Sequence, residues 1–154
     1  LDKAKYGIVK NVTDREYYIN SFHLDPREDV SPFERIDFEY RYQYIATGGF
    51  ITYTELPKMV NNIKGLEKVV DYGISKCGYF ACNQPVDKCL ACGSEEELKP
   101  TEHGYVCTKC GCSDPTKLHA IRQVSGYLSE PVQRPVNNGK AHEYTERVKN
   151  QLNK

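Results

Sequence analysis

After Pro57, apolar residues recur at Met59, Ile63, Leu66, Val70 and Ile74, in steps of four and three. That spacing predicts an amphipathic helix of roughly five turns, with Pro57 suited to its first turn and the stripe serving as packing surface. A second periodic stretch covers 140–152, where Tyr144, Val148 and Leu152 fall on one face of a closing helix. Tyr44–Tyr53 reads as two short strands about the pair Gly48-Gly49. Residues 1–42 are polar, tyrosine-rich and broken by Pro26 and Pro32, which predicts loops and short strands. Residues 113–141 are aperiodic, interrupted by Pro115, Gly126, Pro131, Pro135 and Gly139.

Composition narrows the class. The 154 residues suffice for one domain with a modest core. Lys plus Arg and Asp plus Glu number 21 each, so no net charge argues for nucleic acid or an anionic membrane as partner. Apolar runs are far shorter than a membrane span, and no secretory-type leader is visible. The expectation is a soluble, cytoplasmic protein. Only 39% of residues are hydrophobic, with 12 tyrosines among them, which is thin for a self-sufficient globule. The first residue is Leu1 and the sole methionine is Met59. A piece of a longer or processed chain that packs on other protein is therefore expected.

Seven cysteines are present, four of them in the pairs Cys89-x-x-Cys92-Gly93 and Cys107-x-x-Cys110-Gly111, separated by 14 residues. Tetrahedral zinc needs four ligands, and each C-x-x-C turn supplies two. The glycine after each pair admits positive φ or close approach to the sulfurs. A zinc ribbon of two hairpins is the expected form, with redox dithiols or disulfides the alternative. Four cysteines leave no coordination position open, so the zinc is expected to be structural. Cys77 and Cys82 read as small buried side chains and Cys112 as a bystander or substitute ligand. His103, inside the loop, reads as an exposed residue.

Arg122-x-Val124-x-Gly126-Tyr127-Leu128, standing alone, would be an ordinary turn. Followed by Arg134-Pro135-x-Asn137-x-Gly139-Lys140 and a charged terminal helix, it resembles the carboxy-terminal glycyl radical region of anaerobic (class III) ribonucleotide reductases. Tyr17-Tyr18-x-Asn20-Ser21-Phe22-His23-Leu24, Ile36-Asp37-Phe38-Glu39, Gly48-Gly49-Phe50-Ile51 and Asn83-x-Pro85-x-Asp87 are similar to that family's sequence, in the same order. Coverage is essentially the whole chain. Two departures occur: Ser125, where relatives often carry cysteine, and Pro135-Val136, where an aromatic residue commonly precedes the asparagine.

The resemblance implies that Gly126 stores a glycyl radical. A glycine suits that role, since a Cβ would oppose the planar backbone that delocalises the spin. It also implies that a radical S-adenosylmethionine activase with a [4Fe–4S] cluster installs the radical. In the family, the radical draws hydrogen from a cysteine at the centre of an α/β barrel, and the thiyl formed attacks ribonucleoside triphosphates, commonly with formate as reductant. The implied fold is irregular α+β, the carboxy-terminal part of such a barrel enzyme, with a zinc ribbon and radical loop. Residues 1–76 would belong to the barrel, 77–112 to the ribbon and 113–154 to the radical domain. The partners implied are the rest of the barrel, on the same or another chain, the activase, and a second copy of the full enzyme, with no membrane and no nucleic acid. The fragment alone would be inactive. Asn20, Ser21, Phe22 and His23 become candidates to line the active site, though Asn20 and His23 suit loop-holding hydrogen bonds equally well. A spare-part protein that restores a damaged radical glycine, or a zinc ribbon that binds other molecules, are the alternative readings.

Overall fold

Ser31 opens the first long helix of the computed structural model, which describes residues 2–10, 12–19, 22–101, 104–123, 128–129 and 138–152. The Ser31 hydroxyl accepts the Glu34 amide at 3.2 Å, and the Glu34 carboxylate accepts the Ser31 amide at 2.8 Å. This capping box, with Pro32 in the first turn, starts α2 (Pro32–Glu39). A five-residue α1 (Asp2–Tyr6) precedes it and a 3-10 turn, Tyr40–Tyr42, follows. Among the described residues of 1–42 there is no strand, contrary to expectation. Tyr44 to Gly49 also departs from its expected strand. The chain stays coiled there, with the Ala46 amide bonded to the Tyr42 carbonyl and the Gly49 amide to that of Ala46.

The second expected strand does form. β1 (Thr52–Glu55) pairs in parallel with β2 (Phe80–Asn83), Thr52 opposite Phe80 and Glu55 opposite Asn83. The crossover between them is α3 (Ile63–Lys76), which makes a βαβ unit. α3 starts later than the periodicity suggests, because Asn62 and not Pro57 caps it, its side chain accepting the Gly65 amide at 3.1 Å. Its buried face is also rotated. Val69 and Gly73 are buried, whereas Ile63 and Ile74 are 53% and 67% exposed. Gly73 explains the rotation: a Cβ there would come within 2.5 Å of the Phe80 ring, so the helix meets β2 backbone-first. Ile36, Leu56, Met59, Val69 and Cys77 form the core between α2, α3 and the β1–β2 pair.

A second layer holds the cysteine pairs. β3 (Val86–Cys89) runs antiparallel to β6 (Leu118–Gln123), which pairs on with β7 (Leu128–Ser129). Between them β4 (Lys99–Thr101) and β5 (Gly104–Val106) make a short hairpin. One local hairpin and one long-range pair thus stand where two hairpins were expected. Cys89, Leu98, Tyr105, Cys107, Leu118 and Ala120 form its core.

α4 (Asn138–Glu146) ends before the predicted 152. Beyond it the tail bonds to the body, the Val148 amide to the Pro26 carbonyl at 2.8 Å and the Asn150 amide to that of Glu55 at 2.6 Å. Tyr144 consequently packs on the cysteine core and Leu152 on the other. No helix among the described residues is long and apolar enough to cross a membrane.

Candidate metal centre

Two near-identical turns present the four sulfurs. β3 ends on Cys89, and the Gly93 amide folds back to the Cys89 carbonyl at 2.8 Å; the Gly111 amide does the same to Cys107 at 2.9 Å. Gly93 and Gly111 close these turns at φ of 70° and 72°, in the left-handed region where a Cβ is disfavoured. Cys89 and Cys107 are buried and Cys92 and Cys110 exposed, so the group sits at the ribbon's edge with one ligand of each pair facing inward.

The sulfurs of Cys89, Cys92, Cys107 and Cys110 all lie within 4.8 Å of one another. Cys89 to Cys110 and Cys92 to Cys107 each measure 3.7 Å between sulfurs. A tetrahedron with zinc–sulfur bonds of about 2.3 Å has edges of about 3.8 Å, so the cradle fits the ion. All seven cysteines are free in this structure. Cys77 ends α3, Cys82 lies on β2, and Cys112 packs beside the cysteine core; none joins the cluster. His103 falls outside the described residues.

The thiols influence one another strongly. Burial pushes Cys89 up, but the Cys92 and Ala91 amides outweigh it and bring that thiol down to about 7. For Cys110 the Cys112 amide pulls downward, while hydrogen bonding with Cys92 and burial win and push the thiol up to about 12. Cys92, pulled down by the Ser94 amide, is likewise raised on balance by burial and by its bonds with Cys89 and Cys107. Without a cation, one sulfur ionises readily and its neighbours resist. A divalent ion at the centre removes that resistance.

The remaining candidate residues divide. Asn20, Ser21 and Gly126 lie outside the described residues. Phe22 stacks on Tyr42 with ring centres 5.1 Å apart, and His23 stacks on Phe50 at 4.5 Å. His23 Nδ1 meets Glu39 Oε2 at 3.1 Å, and the fully buried Glu39 also accepts the Leu24 amide at 3.0 Å and Arg35 Nη1 at 3.4 Å. His23 lines a cavity of about 70 Å³ together with Tyr53, Glu55, Gln123, Lys140 and Arg147. Glu55, Gln123 and Arg147 escaped the sequence reading, because isolated polar residues carry no periodic or spacing signal.

Geometrically, the metal cradle and this polar cavity stand at opposite ends of one strand: β6 pairs Leu118 with Cys89 and reaches the cavity at Gln123. Together with the βαβ unit, they define a small α+β fold with a four-cysteine cluster compatible with a zinc site. Residues 1–150 match the family model described as anaerobic ribonucleoside-triphosphate reductase, and the chain belongs to that family. It is 53% identical over 151 residues to the anaerobic ribonucleoside-triphosphate reductase of Enterobacteria phage T4, covering 98% of this chain and 25% of that protein. To those of Haemophilus influenzae and Escherichia coli it is 46% identical over 149 residues, 97% of this chain and 21% of each relative. The chain therefore spans a quarter or less of the length of these curated relatives.

Proposed function

We propose that these residues are the radical-bearing carboxy-terminal part of an anaerobic ribonucleoside-triphosphate reductase, with Gly126 as the radical glycine and the four cysteines as a structural zinc site. The observation that carries this reading is β6. It begins beside the cysteine cradle and ends at Gln123, three residues before Gly126, within the stretch matched to the reductase family. A closed four-thiolate site holds structure and leaves no position for substrate. In this reading Cys89, Cys92, Cys107 and Cys110 pin the start of β6 so that the segment beyond it has a fixed origin.

A stored radical supplies a hydrogen-atom acceptor for a cysteine thiol of the barrel. The chain's own contribution is to hold Gly126 at one hydrogen-transfer step from that thiol, to keep water away, and to release the segment to the activase. The β1–α3–β2 crossover supports a barrel context, since parallel pairs joined by a helix are the unit from which α/β barrels are built. In this reading residues 1–76 complete the barrel, 77–112 form the ribbon and 113–154 the radical domain. Ribonucleoside triphosphates, formate, the S-adenosylmethionine/[4Fe–4S] activase and a second copy of the full enzyme are the partners. Asn20, Ser21, Phe22 and His23 line the approach to the substrate.

Anaerobic incubation of the full-length reductase with the activase and reductant should give a doublet electron paramagnetic resonance signal. Gly126→Ala should abolish it, and air should cut the activated backbone at Gly126. A complete mixture that stays silent, or a signal that survives Gly126→Ala, refutes the assignment.

A further inference from the structure

We infer that Glu55, Asn83 and Arg147 are positioning residues that close a hydrogen-bonded ring through the main chain of Gln123 and so fix the origin of the radical segment; this rests on the reading of Gly126 given above. The ring can be walked atom by atom. Asn83 Nδ2 donates to Glu55 Oε2 at 2.7 Å. Asn83 Oδ1 accepts the Gln123 amide at 3.3 Å. The Gln123 carbonyl accepts Arg147 Nη1 at 2.5 Å, and the same Nη1 returns to Glu55 Oε1 at 3.1 Å. Both main-chain polar groups of Gln123 are therefore held by side chains from elsewhere in the fold.

The members come from separate places: Glu55 from β1, Asn83 from β2, and Arg147 from the tail after α4. Arg147, Glu55 and Gln123 are also held by bonds outside the ring. Arg147 Nη2 donates to Glu143 Oε1 at 2.9 Å, and Glu143 also takes Lys140 at 2.5 Å. Asn150 Oδ1 accepts the Glu55 amide at 2.9 Å, and the Gln123 side chain reaches Tyr53 Oη at 3.4 Å. Glu55 and Asn83 are 7% and 5% exposed, so water replaces few of these bonds while the ring is shut.

Two consequences separate this ring from ordinary strand-end packing. A buried polar network that is half broken leaves an uncompensated charge or donor, so loss of one member costs more than its own bond. The end of β6 at Gln123 is then fixed in place, which suits a strand that leads to the proposed radical glycine. Seating also has to be accurate, because misplacing a reacting group by about 1 Å costs a rate on the order of 100-fold. Loss of the ring should thus spoil use of the radical more than its formation.

The test uses the full-length reductase with Arg147→Met and Asn83→Leu, and with Arg147→Lys, which keeps a charged donor. Spin per chain, turnover per spin and hydrogen exchange at residues 118–123 are measured together. The ring-breaking variants should form the radical at least as readily as wild type, yet turn over on the order of tenfold or more slowly per spin, with faster exchange at 118–123. Arg147→Lys should recover part of the turnover. Should the Met and Leu proteins fail to fold, as shown by faster exchange throughout α3, Arg147→Lys decides alone: turnover per spin equal to wild type overturns the inference. Unchanged turnover per spin and exchange in folded ring-breaking variants also overturn it, leaving the radical assignment standing. A wild-type enzyme with no signal overturns both.

Discussion

Stripping the metal from the four-cysteine cradle should unfold the ribbon while sparing the βαβ layer. Structural zinc at such a site contributes about 10–16 kcal/mol near pH 7, as large as the whole stability of an ordinary domain, about 5–15 kcal/mol. The protein part of the ribbon cannot replace that. β4 and β5 are three residues each, and a lone hairpin of that kind is marginal in water. Its core is four apolar side chains, Leu98, Tyr105, Leu118 and Ala120, around the two inner cysteines. Hydrogen exchange after treatment with a strong zinc chelator gives residue-level readings. The amides of Gly93 and Gly111, closing the two turns, and of Leu90, bonded to the Lys117 carbonyl at 2.7 Å, should lose protection within minutes. The Cys77 amide at the end of α3, bonded to Gly73 at 2.8 Å, should keep its protection. The pH dependence has a definite sign. The metal-free Cys92 and Cys110 thiols are raised and hold their protons at pH 7, so binding must expel them and affinity should weaken as pH falls. Ribbon amides that remain protected without metal, or affinity that rises on acidification, would refute this account.

Three further perturbations test the scaffold by urea or thermal melts. Gly73→Ala should destabilise by about 1–2 kcal/mol despite the better helix propensity of alanine, since the new Cβ meets the Phe80 ring at 2.5 Å. Ser31→Ala removes one half of the capping box of α2 and should cost about 1 kcal/mol, whereas Ser31→Asp should restore most of it. Asp25 is buried, which alone would raise its carboxyl, but hydrogen bonds from Arg27 and the charge of Arg15 at 2.8 Å outweigh that and hold it below the ordinary carboxylate range. Its contribution is therefore present at neutral pH and lost as pH falls through that lowered value. Asp25→Asn should cost about 1–3 kcal/mol at pH 7, and the gap to wild type should close in acid.

What could be read in advance follows from the range of the interaction responsible. The cysteine turns were legible because ligand spacing and the following glycine act within five residues. The capping box of α2 is equally local, Ser31 to Glu34 with Pro32 between, yet the tyrosine-rich polar tract around it masks the signal. α3 was visible by its period, but not its buried face, which Phe80 sets from outside the helix. The early end of α4 was invisible for the same reason: its continuation bonds to Pro26 and Glu55, far back in the chain. The ring around Gln123 lies furthest from any sequence signal, since its bonds span 24, 28, 40 and 92 residues.

β6 ties these features into one mechanical argument. Its six residues span about 17 Å at the usual rise per residue. One end is pinned through Leu118 to Cys89 and the metal cradle, the other through Gln123 to the polar ring. The two pins differ in kind. Thiolate–metal bonding at the cradle would fix the start of the strand. Hydrogen bonds among Glu55, Asn83 and Arg147 fix the other end through the main chain of Gln123. A strand held at both ends keeps its register against β3. In the proposed function, zinc at the cradle would support the start of β6 and take no part in the chemistry.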